Sequence, residues 1–399
     1  MRICMLSWEY PPRIVGGIAR HVEEISEALA SQGHEIHVIT ADHPNTAEYE
    51  HRKGVHIHRV KNQPSQDQTT DFTTWIMHLN IGMLQQAIRL HQHQPFDMVH
   101  AHDWLVGQAA ITMKQSLGVP MTATIHATEA GRNHGIHNKI QSYINQQEWL
   151  LTYEAFRVIV CSDYMRREVQ HNFALPADKV DIIPNGIDYS KFAFDFPNGL
   201  EFRRRFAMDH EKIVLFVGRM VPEKGAQVLV EAAPKILAQY RDAKFVIVGK
   251  GGFLPEIKAR AAALGIKNKI LFTGYVDDAA LLRLYRVADV DVVPSLYEPF
   301  GIVALEGMGA KLPTVVAETG GLAEIVDHTR TGITTYPGDA KSLAWGVLEV
   351  LKNPEYAHYL GQNAFHKVEH VYNWQNIARA TTGVYERVLH QAGRALPVA

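Results

Sequence analysis

Two glutamates stand eight positions apart in the segment Tyr297–Glu306, which directly follows the apolar strand candidate Val290–Pro294. Glycoside hydrolases use such carboxylates as acid and base, about 5–5.5 Å apart in retaining enzymes and at most about 9.5 Å apart in inverting ones. Residues 302–309 have a helical pattern, and eight helical residues advance by about 12 Å. Glu298 and Glu306 therefore do not suit a hydrolase pair. The helix start behind Glu298 offers unpaired N–H groups and a positive dipole end, which suit a phosphate. The alternative is a solvated Glu298 and a Glu306 that is an ordinary residue of a helix face.

Two cations, Arg219 and Lys224, flank the turn between the strand candidate Lys212–Gly218 and the helical pattern after it. Two fixed cations beside a helix start form a clamp for a diphosphate. Such a clamp stabilises the charge on a departing phosphate without a metal ion. The alternative is a pair of surface cations, one of them paired with Glu223, because cations are common at loop edges.

A pair of glycines, Gly16 and Gly17, joins the first strand candidate to the first helical pattern. Glycines at a helix start let a ligand approach the backbone closely, although Gly-Gly is also an ordinary turn. The fingerprint Gly-x-Gly-x-x-Gly follows no strand candidate of this chain. A nicotinamide-dependent dehydrogenase is therefore disfavoured.

Histidines are unusually frequent: there are 22, and 16 of them lie at or before position 171. His100 and His102 are two positions apart on a strand and therefore share a face. Zinc is disfavoured, since no third ligand stands at a recognisable spacing. His126, at the end of the next strand, suits a hydrogen bond to a polar ligand, and a histidine satisfied by backbone is the alternative. We expect most of the other early histidines, such as His34, His56 and His91, to lie at the surface or at strand edges.

Short β-branched runs alternate with amphipathic helical patterns, which predicts parallel sheets covered on both faces. The first series of strand candidates is Arg2–Ser7, Glu35–Thr40, Gly54–Val60, Asp97–Ala101, Met121–His126, Arg157–Cys161 and Val180–Ile183. The second is Lys212–Gly218, Ala243–Gly249, Lys269–Thr273, Val290–Pro294, Pro313–Ala317 and Gly332–Thr335. The helical patterns include Arg20–Gln32, Leu79–His91, Ala226–Tyr240, Asp278–Ala288 and Trp374–Leu389. Two such series predict two doubly wound α/β domains, with ligands at the carboxyl ends of the strands.

The boundary between the domains is predicted at Ile183–Asp188, where a proline and an Asn-Gly turn signal interrupt the pattern. The first domain then covers residues 1–187 and the second covers residues 188–373. A length of 399 residues agrees with two domains.

Composition excludes several classes of protein. Forty basic and 42 acidic residues give a net charge of −2, which does not favour a nucleic-acid partner. Cys4 and Cys161, the two cysteines, lie in apolar runs, so free thiols in a reducing compartment are expected. The N-terminus lacks the pattern of a signal peptide, and no run approaches 18 apolar residues. The helical pattern Lys139–Phe156 carries one lysine and two glutamates, so it does not predict a membrane anchor. We therefore expect a cytoplasmic protein.

Together these segments resemble the retaining glycosyltransferases of family 4. That family has the GT-B fold, an α/β architecture of two facing Rossmann-like, doubly wound domains with a cleft between them. The resemblance spans almost the whole chain and rests on Gly16-Gly17, Pro184–Asp188, Gly218-Arg219, Glu223–Gly225, the two spaced glutamates and Gly320–Val326. In the family the last helix crosses back onto the first domain, which implies the same for residues 374–399.

The resemblance implies roles for individual residues. Arg219 and Lys224 would bind the donor diphosphate, Glu298 the donor sugar and Glu306 the ribose hydroxyls, while His126 would donate to the sugar. The catalytic set is thus Glu298, His126, Arg219 and Lys224. Further donor-binding positions are Gly16, Gly17, Tyr275, Gly301, Ile302 and Val303, and the acceptor-side positions are Glu9, His102, Asp103 and Arg132. In the family a donor phosphate oxygen helps to deprotonate the acceptor hydroxyl, so neither a covalent nucleophile nor a metal cofactor is expected.

The runs 100–104 and 126–132 look like those of bacterial and archaeal glycogen synthases. This likeness implies transfer of an α-glucosyl unit from ADP-glucose or UDP-glucose to an α-glucan or a glucoside. Two features depart from it, because Ile14 stands where those enzymes carry a lysine, with Arg13 one position early, and because the chain is shorter. The alternatives are a family 4 enzyme with another sugar and a small-molecule or cell-surface polysaccharide acceptor, a nucleotide-sugar epimerase on the same fold, and a non-catalytic sugar-nucleotide binder.

Overall fold

The structure is a computed structural model that describes residues 1–61 and 71–394. The chain forms two compact units. The first unit is Met1–Asn185 together with the segment that begins at Trp374, and the second is Gly186–Asn373. The chain therefore leaves its first unit after Asn185 and returns to it at Trp374.

The sheet of the first unit has eight strands: β1 (Arg2–Leu6), β2 (Glu35–Ala41), β3 (Tyr49–Arg52), β4 (Val55–Val60), β5 (Met98–His102), β6 (Met121–Ile125), β7 (Arg157–Val160) and β8 (Val180–Ile182). Their order across the sheet is β3-β4-β2-β1-β5-β6-β7-β8. β3 is antiparallel to β4, and the other pairs are parallel. β1 lies at the centre, and all of its residues are buried because helices cover both faces of the sheet.

The helices of the first unit are α1 (Gly17–Ser31), α2 (Phe72–His93), α3 (Gly107–Leu117), α4 (Glu129–Asn133), α5 (Lys139–Glu154), α6 (Asp163–Phe173) and the last helix of the chain, which we call α15 (Trp374–Gln391). α15 packs beside α1, and the two helices share one core with β1, β2, β4 and β5. Ile377, Val384 and Val388 of α15 are buried in that core. Each such side chain contributes roughly 1.5–3 kcal/mol when it leaves water.

The second unit contains a wholly parallel sheet of six strands: β9 (Lys212–Val217), β10 (Ala243–Val248), β11 (Ile270–Gly274), β12 (Val290–Val293), β13 (Thr314–Ala317) and β14 (Ile333–Thr335). Their order is β11-β10-β9-β12-β13-β14. The order reverses between β9 and β12, which is where an open α/β sheet binds its ligand.

The helices of the second unit are α7 (Gly199–Arg203), α8 (Ala226–Leu237), α9 (Leu254–Ala263), α10 (Asp278–Val287), α11 (Ile302–Gly309), α12 (Leu322–Ile325), α13 (Ala340–Lys352) and α14 (Pro354–Val371). The core of this unit joins α8 and α13 to the central strands of the sheet. Among the helices of residues 1–61 and 71–394, none has both the length and the apolar character that a bilayer crossing requires.

Two elements differ from the sequence-based expectation. The sheet of the first unit is not wholly parallel, since β3 adds an antiparallel edge strand that is too short and polar to show a buried pattern. α2 begins at Phe72, seven residues before the predicted start, with Asp71 as a cap that accepts the Thr74 N–H at 2.8 Å. The first two turns of α2 are largely exposed, so they carry little apolar periodicity.

Candidate active site

In the second unit, Lys224 and Glu298 form an ion pair at the carboxyl ends of neighbouring strands. Lys224 ends the short 3-10 turn Pro222–Lys224 after β9, and Glu298 lies in the loop after β12. Lys224 Nζ is 2.7 Å from Glu298 Oε2, and the side chains are only 23% and 11% exposed. Ser295 donates its hydroxyl to the same oxygen at 3.1 Å. A lysine and a carboxylate are thus held together where the strand order reverses.

Arg219, the other predicted cation, also follows β9 but is more open to solvent. Its side chain is 52% exposed, and Nη2 lies 3.7 Å from Glu223 Oε1. The alternative interpretation, a surface cation beside Glu223, thus describes Arg219 in this structure, whereas Lys224 is engaged by Glu298. The exposed guanidinium of Arg219 remains accessible to an anion.

Glycines pack the loops of this unit against each other so closely that a side chain would collide. A Cβ on Gly225 would lie 1.9 Å from the carbonyl oxygen of Pro294, and one on Gly320 would lie 1.9 Å from the carbonyl oxygen of Glu298. Gly301 has a φ of 115° and is the N-cap of α11, with no side chain capping it. Ile302 and Val303 therefore begin α11 with backbone N–H groups directed out of the helix start. The loops and the helix start are fixed by backbone contact.

Glu306 lies on α11 and is 9% exposed. Tyr285 of α10 donates its hydroxyl to Glu306 Oε2 at 2.9 Å. Beneath α11, burial and the charge of Glu306 raise the pKa of Asp291 well above its usual range, and a Cβ on Gly307 would lie 2.4 Å from Asp291 Oδ2. Neither Tyr285 nor Asp291 was singled out from the sequence, although an aspartate within the apolar run of β12 was a visible signal.

Tyr275, the position predicted near the nucleotide base, follows β11 and is 64% exposed. Lys250 Nζ lies 5.5 Å from the centre of its ring. The second unit thus brings Arg219, Lys224, Glu298 and the α11 residues to one edge of the sheet, while Tyr275 lies at the end of the edge strand.

In the first unit, Glu9 holds the glycine loop. Glu9 is buried, and its Oε2 accepts the N–H groups of Val15 at 2.5 Å and Gly16 at 3.0 Å. Gly16 is the N-cap of α1, and Gly17 is the first residue of that helix. Burial raises the pKa of Glu9, and these backbone donors oppose that shift. The carboxylate that was predicted on the acceptor side therefore positions the loop.

Asp103 fixes the segment that carries His126. Asp103 has a φ of 62°, and its backbone N–H donates to the Thr124 carbonyl at 2.9 Å. Its Oδ1 accepts the backbone N–H of His126 at 2.8 Å. Burial raises the pKa of Asp103 to about 6 and lowers the pKa of His126 to about 3. His102 is fully buried, with Nδ1 3.2 Å from His126 Nε2. The two histidines are therefore neighbours, as neutral imidazoles.

His100 has a different environment from His102, although both rings lie on one face of β5 with centres 4.2 Å apart. Its Nδ1 is 2.8 Å from the hydroxyl of Tyr385 in α15, and its Nε2 is 2.7 Å from Thr124 Oγ1. His100 thus joins α15 to the sheet. The third imidazole of the group is that of His21 in α1, 4.7 Å from the ring of His126. No recognisable spacing pairs His21 with the strand histidines, because His21 lies 81 positions before His102.

Arg132 lies in the short helix α4, with Nε 3.4 Å from the Thr128 carbonyl, and its charge partly offsets the rise that burial causes in the pKa of Asp103. Glu148 of α5 supports the start of α4, because its two carboxyl oxygens accept the Glu129 N–H at 2.9 and 3.1 Å. Burial raises the pKa of Glu148 to about 8. The first unit therefore places Arg132 and Asp103 near each other at the carboxyl ends of β5 and β6.

The two α/β units, with their parallel strand order and with the predicted site residues at the carboxyl ends of the strands, have the GT-B fold. The chain belongs to glycosyltransferase family 4. Residues 15–191 match the model described as Glycosyltransferase Family 4, and residues 200–367 match the model described as Glycosyl transferases group 1. The chain is a nucleotide-sugar-dependent hexosyltransferase.

Similar proteins support this assignment over the full length. An uncharacterised glycosyltransferase of Methanocaldococcus jannaschii is 39% identical over 99% of this chain and 100% of the relative. A glycogen synthase of Mycobacterium tuberculosis is 34% identical over 96% of this chain and 94% of the relative. The solved sucrose-phosphate synthase from Thermosynechococcus elongatus shares the fold, with a TM-score of 0.83 and 24% identity over 98% of this chain and 99% of that one.

Proposed function

We propose that this chain is a retaining glucosyltransferase that moves an α-glucosyl unit from ADP-glucose or UDP-glucose to an α-glucan or a glucoside. The observation that carries the proposal is the Lys224–Glu298 ion pair at the strand ends, 2.7 Å between Nζ and Oε2, with Arg219 after the same strand. In this proposal the two cations bind the donor diphosphate, and the N–H groups at the start of α11 complete its site.

The charge arrangement supports leaving-group stabilisation. As the glycosidic bond to the diphosphate breaks, negative charge grows on the phosphate oxygen, and a preorganised ammonium stabilises it more than water does. Lys224 is already oriented by Glu298, so little reorganisation is needed. Two cations and a helix start supply the role that a divalent metal plays elsewhere, and we therefore propose that transfer requires no metal ion.

Glu298 suits the donor sugar because the hydrogen bonds of its carboxylate converge on one oxygen, which leaves the other oxygen for a sugar hydroxyl. Lys224 and Ser295 both bind Oε2, so we assign Oε1 as the acceptor of a sugar hydroxyl. Glu306 is held by Tyr285 and is assigned to the ribose hydroxyls. His126 is neutral and can donate one N–H to the sugar. A donor phosphate oxygen then takes the proton of the attacking hydroxyl, and this front-face route retains the anomeric configuration.

The choice of an α-glucan rests on relatives. A glycogen synthase matches this chain over 94% of its own length, so a shorter chain is no departure from that relative. A smaller acceptor is the second candidate, because Ile14 replaces the lysine of the glycogen-synthase turn. Arg13 does not stand in for it: the guanidinium lies over the ring of Trp75, 5.1 Å from its centre.

A donor screen tests the proposal. ADP-, UDP- and GDP-linked sugars are incubated with and without glycogen or maltose in the presence of EDTA, and the released nucleoside diphosphate and the anomer of the product are measured. We expect release of diphosphate only with a glucose donor and an acceptor, with an α-linked product. An altered free sugar formed without acceptor would identify an epimerase instead, and transfer to small glucosides alone would favour the second candidate.

A further inference from the structure

Three histidines from three separate elements converge in the first unit. His21 comes from α1, His102 from the end of β5 and His126 from the residue after β6. One ring nitrogen of each lies within 4.8 Å of the other two. The sheet edge thus holds three imidazoles that are far apart in sequence.

Two of these imidazoles have unused buried atoms. Within residues 1–61 and 71–394, His21 Nδ1 and His102 Nε2 are buried nitrogens without a hydrogen-bond partner. The side chains of His21 and His102 are 6% and 0% exposed, so water does not solvate them freely. An unsatisfied buried polar atom costs about 1–3 kcal/mol, and such atoms in a folded protein call for an explanation.

The spacing matches ligation of a metal ion. His102 Nδ1 and His126 Nε2 are 3.2 Å apart, so His102 would ligate through Nδ1, and its unpartnered Nε2 would remain outside the coordination shell. Two imidazole nitrogens at about 2.0–2.1 Å from a tetrahedral zinc ion are separated by about 3.3 Å. Burial lowers the pKa of all three histidines, so neutral imidazoles with lone pairs are available. The carboxylate of Asp103, which accepts the backbone N–H of His126, adds negative charge nearby.

We propose that His21, His102 and His126 form a binding site for a divalent transition-metal ion of the class that imidazole prefers, represented by Zn²⁺. Three histidines with an open fourth position are a donor set that zinc accepts. The side chain of Asn185, which hydrogen-bonds His21, orients that ring from outside.

The other candidate clusters suit a cation less well. Glu35, His37 and His56 also lie close together, but the Arg2 guanidinium already contacts the first two, with Nε 2.8 Å from Glu35 Oε1 and Nη2 3.2 Å from His37 Nε2. A cluster of His366, Glu369 and His370 lies on the surface of α14, where water competes for the ion. Both clusters therefore serve as controls.

The site has a consequence that rests on the proposed function. His126 is assigned there to the donor sugar, and an ion bound at Nε2 removes that nitrogen as a hydrogen-bond partner of a sugar hydroxyl. Zn²⁺ is then an inhibitor of transfer, not a cofactor, and EDTA relieves the inhibition.

Metal binding is measured directly on the full chain, independently of any donor or acceptor. Co²⁺ is titrated into the chelator-treated protein, its visible absorption is recorded, and Zn²⁺ is added in competition. We expect one tight equivalent with a tetrahedral Co²⁺ spectrum. His21→Gln should weaken Zn²⁺ binding by at least about 100-fold, while His37→Gln and the double change His366→Gln/His370→Gln should leave it unchanged.

A second variant separates ligation from folding. In His21→Cys a thiolate takes the place of the imidazole, so Co²⁺ binding should return with a new sulfur-to-cobalt charge-transfer band. The proposal is overturned if His21→Gln binds Zn²⁺ as the unchanged chain does, if a control change abolishes binding, or if His21→Cys shows no charge-transfer band. Because no sugar is present, failure here leaves the glucosyl-transfer proposal standing, and a failed donor screen leaves this one standing.

Discussion

The ammonium of Lys224 lies 2.7 Å from Oε2 of Glu298, although 74 positions of sequence separate the two residues. Parallel pairing of β9 and β12 brings their carboxyl ends side by side, and the contact between Gly225 and the Pro294 carbonyl fixes the distance between the two loops. The ion pair is thus a product of sheet order and of one close backbone contact.

Replacing Lys224 should remove most of the transfer activity. We expect Lys224→Ala to lower kcat by about 100-fold or more, because the charge that develops on the departing diphosphate loses its nearest cation. Steady-state kinetics at saturating donor measures the effect. Lys114→Ala is a matched control, since Lys114 Nζ and Glu154 Oε2 form an ion pair of similar distance, 2.8 Å. The two side chains are similarly exposed, by 27% and 17%. Equal losses in the two variants would contradict the assigned role.

Neutralising Glu298 should separate binding from turnover. In Glu298→Gln the Lys224 ammonium is released from its carboxylate, and one negative charge leaves the diphosphate site. Nucleoside diphosphate should therefore bind roughly threefold tighter or more, while turnover falls because the sugar loses its acceptor. Calorimetry with ADP and UDP provides the affinities. Glu154→Gln, the corresponding change in the control pair, should leave them unaltered, and weaker binding in Glu298→Gln would refute this assignment.

Tyr285 should act on the donor through Glu306. Tyr285→Phe removes the hydroxyl that orients the Glu306 carboxylate, and we expect the KM for donor to rise about 2- to 10-fold with little change in kcat. Tyr385→Phe is the matched control, because Tyr385 is also a buried tyrosine in a hydrogen bond, 2.8 Å from His100 Nδ1. That change should lower the melting temperature without moving the donor KM. A kcat effect in Tyr285→Phe with unchanged KM would speak against a ribose role for Glu306.

The loop that carries Glu298 should not tolerate a side chain at Gly320. Gly320 has a φ of 51°, and its Cβ would lie 1.9 Å from the Glu298 carbonyl oxygen. Gly320→Ala should cost about 1–3 kcal/mol of stability, or shift Glu298 and reduce kcat. Gly252→Ala is the control, since a Cβ there meets no atom within 4 Å. Thermal melts and kinetics of both variants test the prediction, which fails if Gly320→Ala matches the unchanged chain in both.

Glu148 should make stability depend on pH. Its pKa is raised to about 8 by burial, above the ordinary value of 4.5, so the folded state keeps a proton that the unfolded state has released between those values. Stability from this group is therefore highest at low pH and falls as the pH rises towards 8. Glu148→Gln keeps the acceptor for the Glu129 N–H but removes the titration. Relative to the unchanged chain, it should gain stability between about pH 5 and about pH 8, by at most on the order of 1 kcal/mol per pH unit.

Melting temperatures across that pH range measure the Glu148 effect. Glu256→Gln, on the exposed face of α9, is the control and should show no such trend. A Glu148→Gln variant whose advantage over the unchanged chain does not grow with pH would contradict the raised pKa.

Local sequence patterns predicted much of the fold. Strands such as β1, β9 and β12 are mostly apolar because parallel strands are buried on both faces, and their bounds were predictable to within a residue or two. β3 and the start of α2 were not, since their residues face solvent and show no apolar period. Apolar periodicity predicts an element only where its side chains are buried.

Some residues of the candidate site were predictable from the sequence, and others were not. Lys224, Glu298 and the glycines stand in short motifs, so their vicinity was predictable from the family resemblance. His21 and Tyr285 were missed because their contacts join separate elements at no fixed spacing, whereas Ser295 was missed although it stands only three positions before Glu298 in the same loop. The acceptor-side role of Glu9 stays a prediction, and what the sequence did not indicate is that its carboxylate binds the backbone of the adjacent loop.

The return of α15 to the first unit sets an order of events during synthesis on the ribosome. The partner surface of α1 and His100 is made only when residues 374–391 emerge, after every residue of the second unit has been translated. The second unit can complete its own core first, while the earlier-made unit waits with an uncovered apolar face. Until residues 374–391 have emerged, the apolar side chains of α1 that pack against α15 lack that partner, and exposed apolar surface of this kind favours aggregation.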